Sequence, residues 1–166
     1  MKQNGDINIR LATADDLTQI VSYTHAIHQQ EDDQSIPTHT NFLSNLEKWI
    51  KEELKNPLSL ILIAEIVNKQ GNKAIGFIGS TTLINDNGFL DNPTKGVINF
   101  LWVEKEHRRK NIATQLVSMI EDCFKKNAIN VIECSFTKKN QLAETFWASE
   151  GYQIQSVIAR KILPHD

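Results

Sequence analysis

Apolar and polar residues alternate through Ile7-Asn8-Ile9-Arg10-Leu11-Ala12, which predicts a half-buried strand. Thr13 then stands where a helix cap belongs, and Leu17, Ile20, Val21, Thr24 and Ile27 recur at helical spacing. Asp15 and Asp16 fall in the first turn of that helix, where its dipole favours negative charge. A polar loop from Gln30 to Thr40 leads to a second helix with Phe42, Leu46, Trp49, Ile50 and Leu54 inward, ended by Asn56-Pro57. Leu60 to Val67 is nearly continuous in apolar residues, the mark of a strand covered on both faces. After a turn at Asn68-Lys69-Gln70-Gly71-Asn72, Ala74 to Leu83 returns as its hairpin partner.

Asn85 to Thr94 reads as a loop and Gly96 to Val103 as a fourth strand. A helix over Ile112 to Lys126 presents Ile112, Leu116, Ile120, Cys123 and Phe124 on one face. Val131 to Phe136 is a fifth strand, Gln141 to Glu150 a short helix, and Tyr152 to Ile162 a last strand. The fold class is therefore α/β: a single domain over residues 1–166, with a mixed central sheet flanked by helices. Gly96 to Phe136 is the one clear parallel crossover, and ligands in such sheets gather at the carboxyl ends of strands. That directs attention to Val103 through Thr114.

Composition narrows the function classes. A formal charge of −2 lacks the basic stripe of a nucleic-acid binder, and no such partner is expected. The apolar run Leu60 to Ala64 is too short to cross a bilayer, so no membrane partner is expected. The polar start, Met1 to Asp6, has no apolar leader, which with the two cysteines points to the cytoplasm. Cys123 and Cys134 read as reduced core residues; no C-x-x-C or Cys/His ligand spacing occurs, and no metal site is expected. A nucleotide triphosphatase is excluded, since no G-x-x-x-x-G-K-(S/T) is present.

One local basic stretch remains. Arg108, Arg109 and Lys110 precede a helix start at Ile112, where unpaired N–H groups and a positive dipole end suit a pyrophosphate. Small Ala113 lets a phosphate approach the backbone, and Thr114 adds a hydroxyl. The same residues serve equally well as a basic entrance that keeps a loop in solution.

Val103 to Leu116, V-E-K-E-H-R-R-K-N-I-A-T-Q-L, resembles the acyl-CoA signature of the GNAT (GCN5-related) N-acetyltransferases, (Q/R)-x-x-G-x-(G/A). Arg108 fills its first position and Ala113 its last, while Asn111 replaces the first glycine. Asparagine tolerates left-handed backbone better than other non-glycine residues, so the turn is expected to survive. Asn140-x-x-Ala143-x-x-Phe146-Trp147-x-x-x-Gly151-Tyr152 resembles the family's later block, which makes residues 96–152 the motif core. There Asn140 can cap the helix and offer an amide to pantetheine, and Trp147 lies by the cofactor.

The resemblance implies a GNAT-like fold with acetyl-CoA as acyl donor, held by Leu101, Val103, Arg108 to Thr114, Asn140 and Trp147, and an amine of a small molecule or protein as acceptor. It implies direct attack of the amine on the thioester, with a backbone N–H of Leu101 or Val103 for the oxyanion. Dimers are common among similar proteins, so a homodimer is an expectation too. The pattern breaks at two places. Asn99 stands where many relatives keep a carboxylate, and Trp147 where they often keep a tyrosine. Glu65, the one charge in an apolar run, is a candidate base whose pKa burial would raise. Glu104, the loop carboxylates Glu31, Asp32 and Asp33, and His25 and His28 are others. Tyr23 is the candidate acid, since Tyr152 falls at a core position of the motif. The alternative is an acyl-CoA-binding regulatory module that has lost catalysis, which Asn99 and Trp147 favour.

Overall fold

The computed structural model describes residues 6–32, 34–69 and 71–163. The polar start before Asp6, together with Asp33 and Gln70, lies outside the described residues. Five strands form one sheet in sequence order: β1 (Asp6–Leu11), β2 (Ser59–Asn68), β3 (Gly71–Ile84), β4 (Thr94–Val103) and β5 (Ile132–Cys134). The first four are antiparallel neighbours, and β5 runs parallel to β4. Helices α1 (Leu17–Glu31) and α2 (Phe42–Glu53) lie between β1 and β2; α3 (Ile112–Lys126) is the crossover to β5, and α4 (Gln141–Ser149) follows it.

Because side chains alternate across a sheet, β2 is buried on both faces. Leu62 and Ala64 pack with Ile75, Ile78 and Ile98 against α3 and the buried Trp147 of α4. Ile63 packs with Phe77 against Ile20, Tyr23, Leu46 and Ile50 of α1 and α2. Trp49 departs from its expected place inside: it is 41% exposed and sets its ring edge on Phe100, with centroids 5.6 Å apart. The α3 stripe is buried at Ile112, Leu116, Ile120 and Phe124, as its spacing predicts, with Val117 added and Cys123 only half-buried. At Gly96 an added Cβ would lie 2.4 Å from the Phe124 ring, so glycine is what lets α3 press on β4.

The predicted last strand does not form. Residues 153–163 carry no strand hydrogen bonding, and Val157 and Ile158 are each 87% exposed. The physical reason is the partner: alternation supplies apolar side chains, but a strand needs a ladder. The neighbouring β5 extends over three residues only, against the six predicted.

Glu65 is buried on β2, yet it is far from alone. Its carboxylate accepts hydrogen bonds from Asn8 Nδ2 (3.0 Å), Arg10 Nε (3.0 Å) and Asn72 Nδ2 (2.9 Å). The other side of the Arg10 guanidinium grips both oxygens of Asp16 at 2.7 and 2.8 Å, and Asp16 Oδ2 also accepts the Thr13 N–H. One arginine thus ties β1 to β2 and to the 3₁₀ turn, Ala14–Asp16, that opens α1. The expectation that burial raises the Glu65 pKa is corrected. Burial does push it up, more strongly than any other single influence, but Asn8, Arg10 and Asn72 together hold it below the usual carboxylate range. Asp16 is lowered chiefly by its bond to Arg10.

Both carboxyls are depressed in the folded state. Their contribution is therefore complete above the unfolded values near pH ~4 and is lost as pH falls through the lower folded ones. Arg10→Ala should cost on the order of 3 kcal/mol at pH 7, because it strands two carboxylates at once. Urea unfolding at pH 7 and at stepwise lower pH should show this loss shrinking on acidification; a variant as stable as the parent at pH 7 would remove the network from the account.

Candidate active site

The decisive geometry is on β4. Gly79 pairs with Phe100 and Ser80 with Ile98, which leaves Asn99 as an extra residue, a β-bulge. On one side of it the Gly96 N–H donates to Val131 O, toward β5. On the other side the Glu104 N–H donates to Ile75 O, toward β3. Backbone groups alternate along a strand, so Val103 and Leu101 present their N–H groups to the β5 side. Without the extra residue those positions would face β3. Pairing with β5 covers only Gly96 to Ile98, after which the two strands part.

The parted strands bound an open cleft of about 490 Å³. Ile98 to Trp102 form one wall, Ser135 and Phe136 the other, with Asn140, Ala143 and Trp147 of α4 and Ile27, Gln30 and Glu31 of α1 closing it. Cys134 sits opposite Ile98 at the head of the cleft. Burial pushes its thiol up to about 11, so at neutral pH it stays protonated and offers no ready nucleophile for an acyl-enzyme.

At the end of β4 the chain enters a 3₁₀ turn, Lys105–His107, and then the basic stretch. Arg109 and Asn111 both adopt left-handed backbone, each with φ 59°. Asn111 therefore performs the turn that the resemblance assigns to glycine, and its ψ of 15° makes it the N-cap of α3. Helical bonding begins with the Gln115 N–H to Asn111 O, which leaves the N–H groups of Ile112, Ala113 and Thr114 without helical acceptors. Ile112 is anchored in the core, so it offers only its backbone. Arg108 donates Nε to Val103 O at 2.9 Å and lays its guanidinium 4.9 Å over the Trp102 ring, which fixes the turn against the strand. Arg109 and Lys110 are exposed beside it. The Thr114 hydroxyl is committed elsewhere, donating to Glu150 Oε1 at 2.7 Å.

Asn140 caps α4 as expected, its Oδ1 accepting the Ala143 N–H at 3.0 Å. Its Nδ2 donates to Glu31 Oε1, and the Thr137 N–H donates to Glu31 Oε2 at 2.7 Å. Glu31 is thus the last residue of α1, not a loop carboxylate, and it stitches that helix to the β5–α4 connection. Nothing local in the sequence marks this role, because the partners lie more than a hundred residues away.

Two candidates stand outside the cleft. Glu65 belongs to the network on β1 and β2. Tyr23 is buried against Phe77, and its one hydroxyl proton is shared between two acceptors, Ala74 O and Glu104 Oε1, both at 3.1 Å. Burial, joined by the Glu104 charge, raises its pKa well above the usual phenol value, which makes it a poorer acid. Glu104 is further occupied by Lys73 Nζ at 3.0 Å. Tyr152 donates to Glu121 Oε1 at 3.0 Å and stacks edge-on with Trp147, in keeping with a core position. His28 stacks on Phe42 at 4.3 Å, and neither it nor His25 lines the cleft. Of the catalytic candidates, Asn99 and Glu31 line it, and the Glu31 carboxylate is already held by Asn140 and the Thr137 N–H. Among the described residues no cluster of three or more His, Cys, Asp or Glu is placed to hold a metal ion, and no helix is long and apolar enough to cross a membrane.

The Acetyltransferase (GNAT) family model matches residues 23–152. A protein of Clostridium acetobutylicum, described as a predicted acetyltransferase and solved with acetyl-CoA, has 19% identity and a TM-score of 0.76 over 95% of this chain and 96% of its own. The aminoglycoside antibiotic 6'-N-acetyltransferase of Acinetobacter haemolyticus has 16% identity and a TM-score of 0.72, covering 96% and 99%. A mutant protein of Bacillus halodurans has 18% identity and a TM-score of 0.78, covering 95% and 99%. No curated protein matches the chain by sequence. At these identities the structures share the fold with this chain, and the family model adds kinship. The chain belongs to the GNAT acetyltransferase family.

Proposed function

We propose that this chain transfers the acetyl group of acetyl-CoA directly to an amine. The observation that carries the reading is the bulge at Asn99, which parts β4 from β5 immediately before the left-handed turn into α3. The turn and the free N–H groups of Ile112, Ala113 and Thr114 receive the pyrophosphate, with Arg109 and Lys110 adding charge and Ala113 leaving room. Pantetheine lies along the part of β4 that β5 has released, beside Asn140 and Trp147.

In the reaction the neutral amine nitrogen attacks the thioester carbon, and the carbonyl oxygen becomes an oxyanion that accepts the Leu101 or Val103 N–H. The C–S bond then breaks, the nitrogen loses a proton, and CoA leaves as a thiolate that takes one up. A preorganised backbone donor serves this charge without reorganisation. No tyrosine is needed as acid, because a thiol of pKa about 8.5 leaves tolerably as thiolate. Placement of the two reactants then supplies much of the rate. The amine acceptor enters where Asn99 meets the cleft, and Glu31 favours a cationic one. A second copy of the chain covers the apolar side chains of residues 153–163 in this reading; sedimentation should give a dimer, and a monomer at micromolar concentration would oppose it.

Acetyl-CoA should raise the melting temperature, by an amount equivalent to about 2.7 kcal/mol at a hundred times Kd. Thiol release should follow with at least one member of a panel of polyamines, aminoglycosides, amino acids and peptide N-termini. No thermal shift at millimolar acetyl-CoA would sink the reading; a shift with no release over the whole panel would favour a binding module without catalysis. Asn111→Val should cost about 1–2 kcal/mol at the left-handed turn and raise KM for acetyl-CoA, whereas Asn111→Gly should keep both stability and KM near the parent values.

A further inference from the structure

Asn99 faces a second hollow as well as the cleft. This one, about 270 Å³, lies between α2 and the sheet and is lined by Trp49, Glu53, Ser59, Phe77, Thr81 and Asn99 among others. Across it runs a row of polar groups from three strands and a helix. Ser59 Oγ donates to Glu53 Oε2 near the end of α2. Ser59 and Thr81 are direct cross-strand partners, with hydroxyl oxygens 3.4 Å apart. Asn99 Nδ2 donates to Thr81 Oγ1 at 2.8 Å.

Counting protons gives this row a direction. A carboxylate only accepts, and each hydroxyl has one proton to give. The Ser59 proton is spent on Glu53, so toward Thr81 the Ser59 oxygen can only accept. Ser59, 3.4 Å away, is then an acceptor for the Thr81 proton, and with the proton placed there the Thr81 oxygen accepts from Asn99. Asn99, whose side chain is exposed, turns its NH₂ to Thr81 in this arrangement. Its Oδ1, which has no hydrogen-bond partner among the described residues, is left as an acceptor at the place where the two hollows meet. The carboxylate at one end of the row decides which end of an amide is presented at the other.

We propose that Glu53, through Ser59 and Thr81, is a positioning residue that fixes the Asn99 amide so that Oδ1 receives an N–H of the acceptor amine. The inference rests on the acetyl-transfer reading of the cleft. An amine brings donors, so an amide showing its oxygen orients it and leaves the nitrogen lone pair for the thioester. An amide showing its NH₂ opposes donor to donor and turns the amine away. Asn99 accepts no proton; it aims the nucleophile. A carboxylate at the same position would meet Thr81 with no proton to give, so the row as built suits asparagine.

Glu53→Gln tests the direction, because the amide it introduces keeps the size but can itself donate to Ser59 and release every proton downstream. For Glu53→Gln and Thr81→Val, kcat/KM for the amine should fall on the order of tenfold, as for one lost hydrogen bond, with acetyl-CoA affinity by calorimetry unchanged. Thr81→Ser, which retains the hydroxyl, should stay within about twofold of the parent. Independently of turnover, the side-chain NH₂ resonances of Asn99, assigned by their loss in Asn99→Asp, should shift in Glu53→Gln and Thr81→Val and hold in Thr81→Ser. Because the introduced amide oxygen can still accept from Ser59, Ser59→Ala, which removes the link outright, is read beside Glu53→Gln. Asn99 resonances unmoved in both Glu53→Gln and Ser59→Ala would overturn the proposal, as would equal losses for Thr81→Ser and Thr81→Val. A parent protein that binds no acetyl-CoA would instead sink the acetyl-transfer reading, while the Asn99 resonances still decide the orientation.

Discussion

The rest of the site depends on one extra residue in a strand. β4 carries Asn99 where β3 has no counterpart, and this shifts by one position which backbone groups face β3 and which face β5. Had the alternation run unbroken from Gly96, the N–H groups of Phe100 and Trp102 would face β5. They face β3 instead, while Leu101 and Val103 turn theirs to the opening. The same insertion bends β4 away from β5, so one irregularity both opens the cleft and aims the donors into it.

The polar groups around this opening show a division of labour. Tyr23, Glu65 and Glu104 all looked available for proton transfer, and each is already bound to a partner that joins two elements. The cleft itself is lined by the amides of Gln30, Asn99 and Asn140, by aromatic walls, and by one carboxylate, Glu31, which Asn140 and Thr137 already hold. For the proposed transfer, such a lining supplies placement and fixed dipoles, not a titrating pair.

Much of this was legible along the chain. The bounds of α3 and most of its buried stripe were readable, because helical spacing and the helix start are local signals. The left-handed turn at Asn111 was expected from the resemblance, with asparagine able to hold the angle in place of glycine. Other features were not legible, for reasons of distance. The bulge has no local mark, since Asn99 lies in an otherwise ordinary strand and is exposed as an irregularity only by the register of β3. Glu65 read as a solitary charge because Asn8 and Arg10 are more than fifty residues away. Tyr152 to Ile162 read as a strand because alternation reports which side chains could share a face, not whether a free edge of sufficient length exists to receive them.

The turn into α3 has a consequence for how such a protein can drift. Peptide N–H groups belong to nearly every amino acid, so a cradle made of them is stored in torsion angles, not in a roster of side chains. Asn111 demonstrates the tolerance: a different letter holds the angle that glycine holds elsewhere. Substitution can then erode the text of the motif while its geometry persists, until only residues able to keep a positive φ, and a small neighbour such as Ala113, remain under constraint.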